Sequence, residues 1–93
     1  MDFEIKQDAD KNKFAVIGGK EAHLDYEIIG DEVIEFPYTY VPPTLRGKGV
    51  AGKILEFGLK YAREKNLSVI PSCSYVESYI SKNKQYKDLL KKD

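Results

Sequence analysis

The run Val41-Pro42-Pro43-Thr44-Leu45-Arg46-Gly47-Lys48-Gly49-Val50-Ala51-Gly52-Lys53 constrains the fold of this chain more than any other stretch. It follows a β-branched and aromatic series (Val33, Ile34, Phe36, Tyr38, Tyr40) that favours a strand, and two prolines then stop that strand. Glycines and small residues lead into a long helical pattern. Strand, glycine-rich bend and helix N-terminus in that order make an anion site. Glycine lets the backbone approach a ligand, the first helical N–H groups lack partners, and the helix dipole favours negative charge. A phosphorylated ligand is expected there.

Two phosphate motifs overlap in this run, and neither is complete. Gly47-x-Gly49-x-x-Gly52 has the spacing of the dinucleotide fingerprint, which needs an acidic residue about 20 positions on to hold the ribose. Ser68 to Ser74 contains no Asp or Glu, so that ligand is rejected. Gly47-x-x-x-x-Gly52-Lys53 follows the P-loop up to its last position, where Ile54 replaces the Ser or Thr that would hold magnesium. A nucleotide-binding module is therefore a third choice.

Arg46-Gly47-Lys48-Gly49-Val50-Ala51 resembles the [Gln/Arg]-x-x-Gly-x-[Gly/Ala] motif of the GNAT N-acetyltransferase superfamily, which cradles the pyrophosphate of coenzyme A. The preceding Tyr-Val-Pro-Pro and the later Val69-Ile70-Pro71-Ser72-Cys73-Ser74-Tyr75 extend the resemblance to the small single-domain GNAT-like subfamily, from about Phe3 to Leu90. The resemblance implies acetyl-CoA as cosubstrate, held by Tyr40, Val41, Arg46, Gly47, Lys48, Gly49, Val50, Ala51 and Gly52. It implies a cleft where strand four (Thr39 to Val41) and strand five (Val69 to Pro71) part. An N–H of Tyr40 or Val41 would face the oxyanion there, while Arg46 shapes the loop or touches phosphate. Cys73, beyond strand five, is expected near the acetyl group, either as a nucleophile or as a small packing residue. Tyr79 is expected to protonate the leaving thiolate or to pack on the sheet. Subfamily members often carry His where Tyr38 stands, so this chain lacks that base. Glu35 is the substitute candidate, with a plain surface carboxylate as the alternative. His23, among polar neighbours, reads as exposed.

The remaining residues predict an α+β fold in one domain, 1–93. Phe3 to Gln7, Lys13 to Ile17, Ala22 to Ile29 and Val33 to Val41 alternate or run apolar between short turns (Asp8 to Asn12, Gly18-Gly19-Lys20, Gly30-Asp31), which gives a four-strand antiparallel meander. From Gly47 to Lys65, Val50, Ala51, Ile54, Leu55, Phe57, Gly58, Tyr61 and Ala62 fall on one broad helical arc. Gly58 in mid-helix points to close approach of a strand. Asn66 stops the helix, and Leu67 to Ile70 forms a fifth strand parallel to strand four. Ser74 to Lys82 makes a short helix with Tyr75, Val76, Tyr79 and Ile80 inward, and Tyr86, Leu89 and Leu90 dock the tail. Lys82, Lys84, Lys87, Lys91 and Lys92 form a solvated rim. The resemblance implies that these elements make up the minimal GNAT, or acyl-CoA N-acyltransferase, fold.

Composition narrows the function. Fifteen basic and fifteen acidic residues cancel, so no net field draws nucleic acid or anionic lipid. One Cys and one His argue against a disulfide or a protein metal centre. No apolar run approaches a membrane span and no signal peptide is apparent, so a cytoplasmic location is expected. The expected function is acetyl transfer to an amine on a protein or a small molecule, by a monomer or weak homodimer. A non-catalytic acyl-CoA or CoA binder is the alternative.

Overall fold

A computed structural model describes residues 4–16, 22–47 and 49–91. Phe3, Ile17, the Gly18-Gly19-Lys20 turn, Lys48 and Lys92 lie outside the described residues. Five strands, β1 (Ile5–Asp8), β2 (Lys13–Val16), β3 (His23–Ile29), β4 (Val33–Tyr40) and β5 (Ser68–Ile70), form one sheet in sequence order. The first four are antiparallel neighbours, and β5 runs parallel to β4. Between those two lies α1 (Val50–Glu64), preceded by a 3-10 turn at Pro43–Leu45. Helix α2 (Ser74–Lys82) follows β5, and a 3-10 turn at Lys84–Leu89 closes the described chain. No helix among the described residues is long and apolar enough to cross a membrane.

The core lies on one face of the sheet. Phe14, Leu24, Tyr26, Ile34, Phe36 and Val69 point into it from the strands. Val50, Ala51, Ile54, Leu55, Gly58, Leu59 and Ala62 answer from α1, and Val76 and Ile80 from α2. The α1 residues recur as adjacent pairs every turn, as a helix lying flat on a sheet requires. Leu59, outside the expected arc, is fully buried, whereas Phe57 is 37% exposed and meets the Phe14 ring only edge-on at 5.4 Å. Ile28 stands opposite Ile34 on the helix-bearing face but is 40% exposed, near the end of β3 where the chain turns at Gly30. Tyr75, expected inward, is 52% exposed because it opens α2 at the edge of the sheet.

Gly58 sits where the helix meets β3 and β4. A Cβ there would lie 2.8 Å from Leu24 Cδ2 and 3.3 Å from Phe36 Cε1, and both side chains are fully buried. Gly58→Ala gains roughly 1 kcal/mol of helix propensity but forces a packed core apart, which costs about 1–3 kcal/mol. The substitution is expected to destabilise the fold by about 1 kcal/mol, read as a lower urea midpoint with an unchanged slope. A raised midpoint would show that the core yields at this point.

The far end of α1 stops at Asn66, whose φ of 57° breaks the helix. Arg63 then ties the helix to the tail, donating to Asp88 at 2.8 and 2.9 Å and to the Gln85 carbonyl at 2.7 Å. Tyr86 and Leu89 are buried behind it. Leu90 bridges to Val69, and the Lys91 amide donates to the Val69 carbonyl at 2.9 Å. The tail thus covers the outer edge of β5, an edge that would otherwise offer unpaired backbone to another chain.

Candidate functional site

The sheet comes apart along one strand. Pairing between β4 and β5 covers only Val33↔Ser68, Ile34↔Val69 and Glu35↔Ile70, although β4 continues to Tyr40. The expected gap between Thr39 to Val41 and Val69 to Pro71 is therefore displaced. Val69 and Ile70 are still paired, and the opening starts after Glu35. Two features make it. First, the β3–β4 register jumps from Glu27↔Glu35 to Asp25↔Tyr38, so Phe36 and Pro37 together face Tyr26. That is a β-bulge, which bends its strand, and Pro37 has no N–H to give either neighbour. Second, β5 ends at Pro71: the Ser72 amide turns back onto the Ile70 carbonyl at 3.1 Å, and the Cys73 amide takes the Phe36 carbonyl at 2.9 Å. Beyond that bond the β5-facing edge of Tyr38, Thr39 and Tyr40 has no strand partner among the described residues.

The glycine bend lies at the other end of this opening. Pro43 starts the 3-10 turn, and the Arg46 guanidinium folds back so that Nε donates to the Val41 carbonyl at 3.0 Å. Gly47 and Gly49 have φ of 80° and 77°, a left-handed backbone that strains any residue with a Cβ. An added Cβ would touch nothing at either position, so conformation rather than space calls for glycine. Gly49 also sits at the N-cap of α1, where no side chain caps the helix and no acid occupies the first turn. The first α1 amides are thereby left for an outside acceptor.

Together these elements enclose a cleft of about 640 Å³, lined by Tyr38, Thr39, Tyr40, Val41, Leu45, Arg46, Gly47, Gly49, Val50, Ala51 and Tyr75. Tyr40, Val41, Arg46, Gly47, Gly49, Val50 and Ala51, all expected to hold the cosubstrate, thus line one cleft. Gly52 is not on it; with Tyr79, Ser78 and Lys82 it lines an adjoining hollow that shares Gly49 and Tyr75 with the cleft. Tyr79 stacks on Tyr86 at 6.2 Å, and burial, followed by Tyr86 and Glu56, pushes its phenol above the usual range. Thr39, expected on the strand-four side of the cleft, and Tyr38, noted at the position of a base, line it as well. The cleft residues missed in the sequence are Leu45 and Tyr75.

Cys73 is half-buried at the N-cap of α2, with Sγ 3.5 Å from Thr39 Oγ1. Burial pushes its thiol up, but the Thr39 hydroxyl and backbone at Val76, Tyr75 and Thr39 favour the thiolate and leave it below the ordinary value. Alkylation by iodoacetamide should therefore reach half its maximal rate at a lower pH than for free cysteine, because the thiolate is the reactive form. A midpoint at or above that of free cysteine would contradict this environment. Glu35, the substitute base, lies outside the cleft. Its carboxylate accepts a hydrogen bond from the Ser72 hydroxyl and stands directly across from Glu27. His23 is not exposed as expected: only 19% of its side chain is accessible, and Nδ1 lies 2.7 Å from Asp25 Oδ1.

A mixed sheet parted beside a glycine bend and an uncapped helix is the architecture of an N-acetyltransferase. The chain matches the GCN5-related N-acetyl-transferase family over residues 2–89, and it belongs to that family. It is 28% identical to Protein NATD1 of Gallus gallus over 83 residues, covering 86% of this chain and 76% of that protein. Protein NATD1 of Homo sapiens is also 28% identical, over 82 residues that cover 85% of this chain and 73% of the other. The solution NMR structure of a GCN5-like candidate N-acetyltransferase from Staphylococcus aureus superposes with a TM-score of 0.76. It is 35% identical, and the match covers 95% of this chain and 87% of that one.

Proposed function

We propose that this protein transfers the acetyl group of acetyl-CoA to an amine. The observation that carries the reading is a single cleft bounded at one end by the Arg46–Ala51 bend and along its length by the unpartnered edge of β4. The bend suits a diphosphate: two left-handed glycines turn backbone toward the ligand at a helix N-terminus free of acids. The bare β4 edge suits an amide-bearing arm, which would complete hydrogen bonds that β5 does not make. Bound acetyl-CoA supplies an activated acyl carbon.

The protein's residues would then act as follows. The N–H of Val41 stabilises the negative charge that develops on the acyl oxygen, since Tyr40, paired with His23, turns its own N–H toward β3. Cys73 supports the cleft wall from behind through Thr39, and direct attack by the amine is favoured over acylation of the thiol. Tyr79 returns a proton to the departing thiolate. The acceptor reaches a shallow, open site, which suits a protein side chain or terminus, or a small polyamine. Titration with acetyl-CoA followed by NMR, together with an assay of CoA release over amine acceptors, tests this reading. Backbone signals of residues 46–52 are expected to move at sub-millimolar acetyl-CoA and not with ATP. Unmoved signals at millimolar acetyl-CoA would reject it.

A further inference from the structure

The sheet face opposite the core carries a group of side chains that the proposed transfer has not used. The β3–β4 register sets His23 opposite Tyr40 and Asp25 opposite Tyr38. The imidazole lies between the two phenol rings, with centroids 5.9 Å from Tyr38 and 5.7 Å from Tyr40. Both tyrosines line the cleft and are themselves well exposed. On its other side His23 faces Ala15 of β2, and Lys13 of β2 stands opposite Asp25. When Nδ1–H donates to Asp25, Nε2 is left as the ring's acceptor. An imidazole oriented by a carboxylate at one nitrogen, with its other nitrogen left to accept, is the arrangement of a general base.

We propose that His23, oriented by Asp25, is the proton acceptor for the incoming amine, which reaches the cleft across the open sheet face between Tyr38 and Tyr40. The proposal rests on the acetyl-transfer reading and adds the base that strand four does not supply. An alkyl amine arrives as an ammonium ion and must lose a proton before its nitrogen can attack. His23 Nε2 takes that proton and passes it to water, while Asp25 stabilises the imidazolium. The nitrogen–carbon bond then forms and the carbon–sulfur bond breaks. The second nitrogen proton is lost as the amide forms, and one proton ends on the coenzyme thiol. The net release is one proton per turnover. Two aromatic faces flanking the entry suit a cation in transit.

The test compares the unaltered protein with His23→Gln, Asp25→Asn and Glu35→Gln, using spermidine and Nα-acetyl-lysine amide as acceptors. Because the chain contains one histidine, its imidazole NMR signals are assigned without ambiguity. Those signals are expected to shift when acetyl-CoA is added and again when the amine follows. His23→Gln should bind acetyl-CoA as the unaltered protein does, yet release CoA about 100-fold more slowly. Asp25→Asn should lower kcat with little change in KM for the amine, since the acceptor that orients the Nδ1–H of the ring is lost. Turnover of His23→Gln within about threefold of the unaltered rate would overturn the proposal and leave acetyl transfer standing. So would imidazole signals that ignore both ligands, or a loss confined to Glu35→Gln. Failure of the unaltered protein to bind acetyl-CoA would remove the acetyl-transfer reading, and this proposal with it.

Discussion

Gly49→Asp is expected to weaken acetyl-CoA binding at least about 100-fold, or roughly 2.8 kcal/mol at about 1.4 kcal/mol per tenfold, while leaving the protein folded. The carboxylate would stand at the N-cap of α1, where the helix now has neither a capping side chain nor an acid. It would occupy amides that a diphosphate needs and repel that diphosphate at short range. The fold itself should be little affected. A residue with a Cβ at a φ of 77° is strained by about 1–3 kcal/mol, but nothing lies within reach of that Cβ. An acid at a helix N-terminus returns about 0.3–1 kcal/mol. Calorimetric titration beside a urea melt separates the two effects. An affinity within about threefold of the original would show that the helix terminus does not hold the diphosphate.

Phe36→Ala should cost about 3–5 kcal/mol, the usual range for removing a buried aromatic ring. A chain of this length is held by roughly 5–14 kcal/mol in all, at about 0.05–0.15 kcal/mol per residue, so the loss is a large share. Phe36 is fully buried, lies against the bare backbone of Gly58, and begins the bulge on β4. Its carbonyl also receives the Cys73 amide that fixes where the two parallel strands separate. Emptying the site should therefore lower the urea midpoint and weaken acetyl-CoA binding together, whereas Gly49→Asp moves chiefly the second. A loss below about 1 kcal/mol would mean that α1 collapses into the space and that the bulge does not depend on the ring.

The fold was legible in the sequence because its signals are local. Alternation in β3 and β4, the Pro42-Pro43 stop, the two-residue recurrence along α1 and the breaker Asn66 each act within a few neighbours. Gly58 could be assigned to a close strand contact for the same reason, since a mid-helix glycine is unfavourable without one. The glycine bend that lines one end of the cleft was equally readable, because Arg46 to Ala51 is contiguous. The rest depends on register, which is not local. Pro37 sits inside an apolar run, and without the pairing partner nothing shows that it and Phe36 face one residue. That single shift decides which β4 side chains face the cleft. It also sets Tyr38 and Tyr40 around His23, a residue whose polar neighbours suggested open solvent. Tyr75 was misplaced because an aromatic in the first turn of a short helix can pack or project, and the edge of the sheet settles which.

The bulge at Phe36-Pro37 has a kinetic corollary. Pro37 has no N–H and the bulge takes β4 out of register, so β5 cannot zip onto the strand and no ladder of backbone bonds must be ruptured to admit a guest. Entry should then follow a single bimolecular phase, linear in coenzyme concentration, with no plateau from a slow opening step. A strand four that could zip onto its parallel neighbour would behave as a latch; this one is built as a standing doorway.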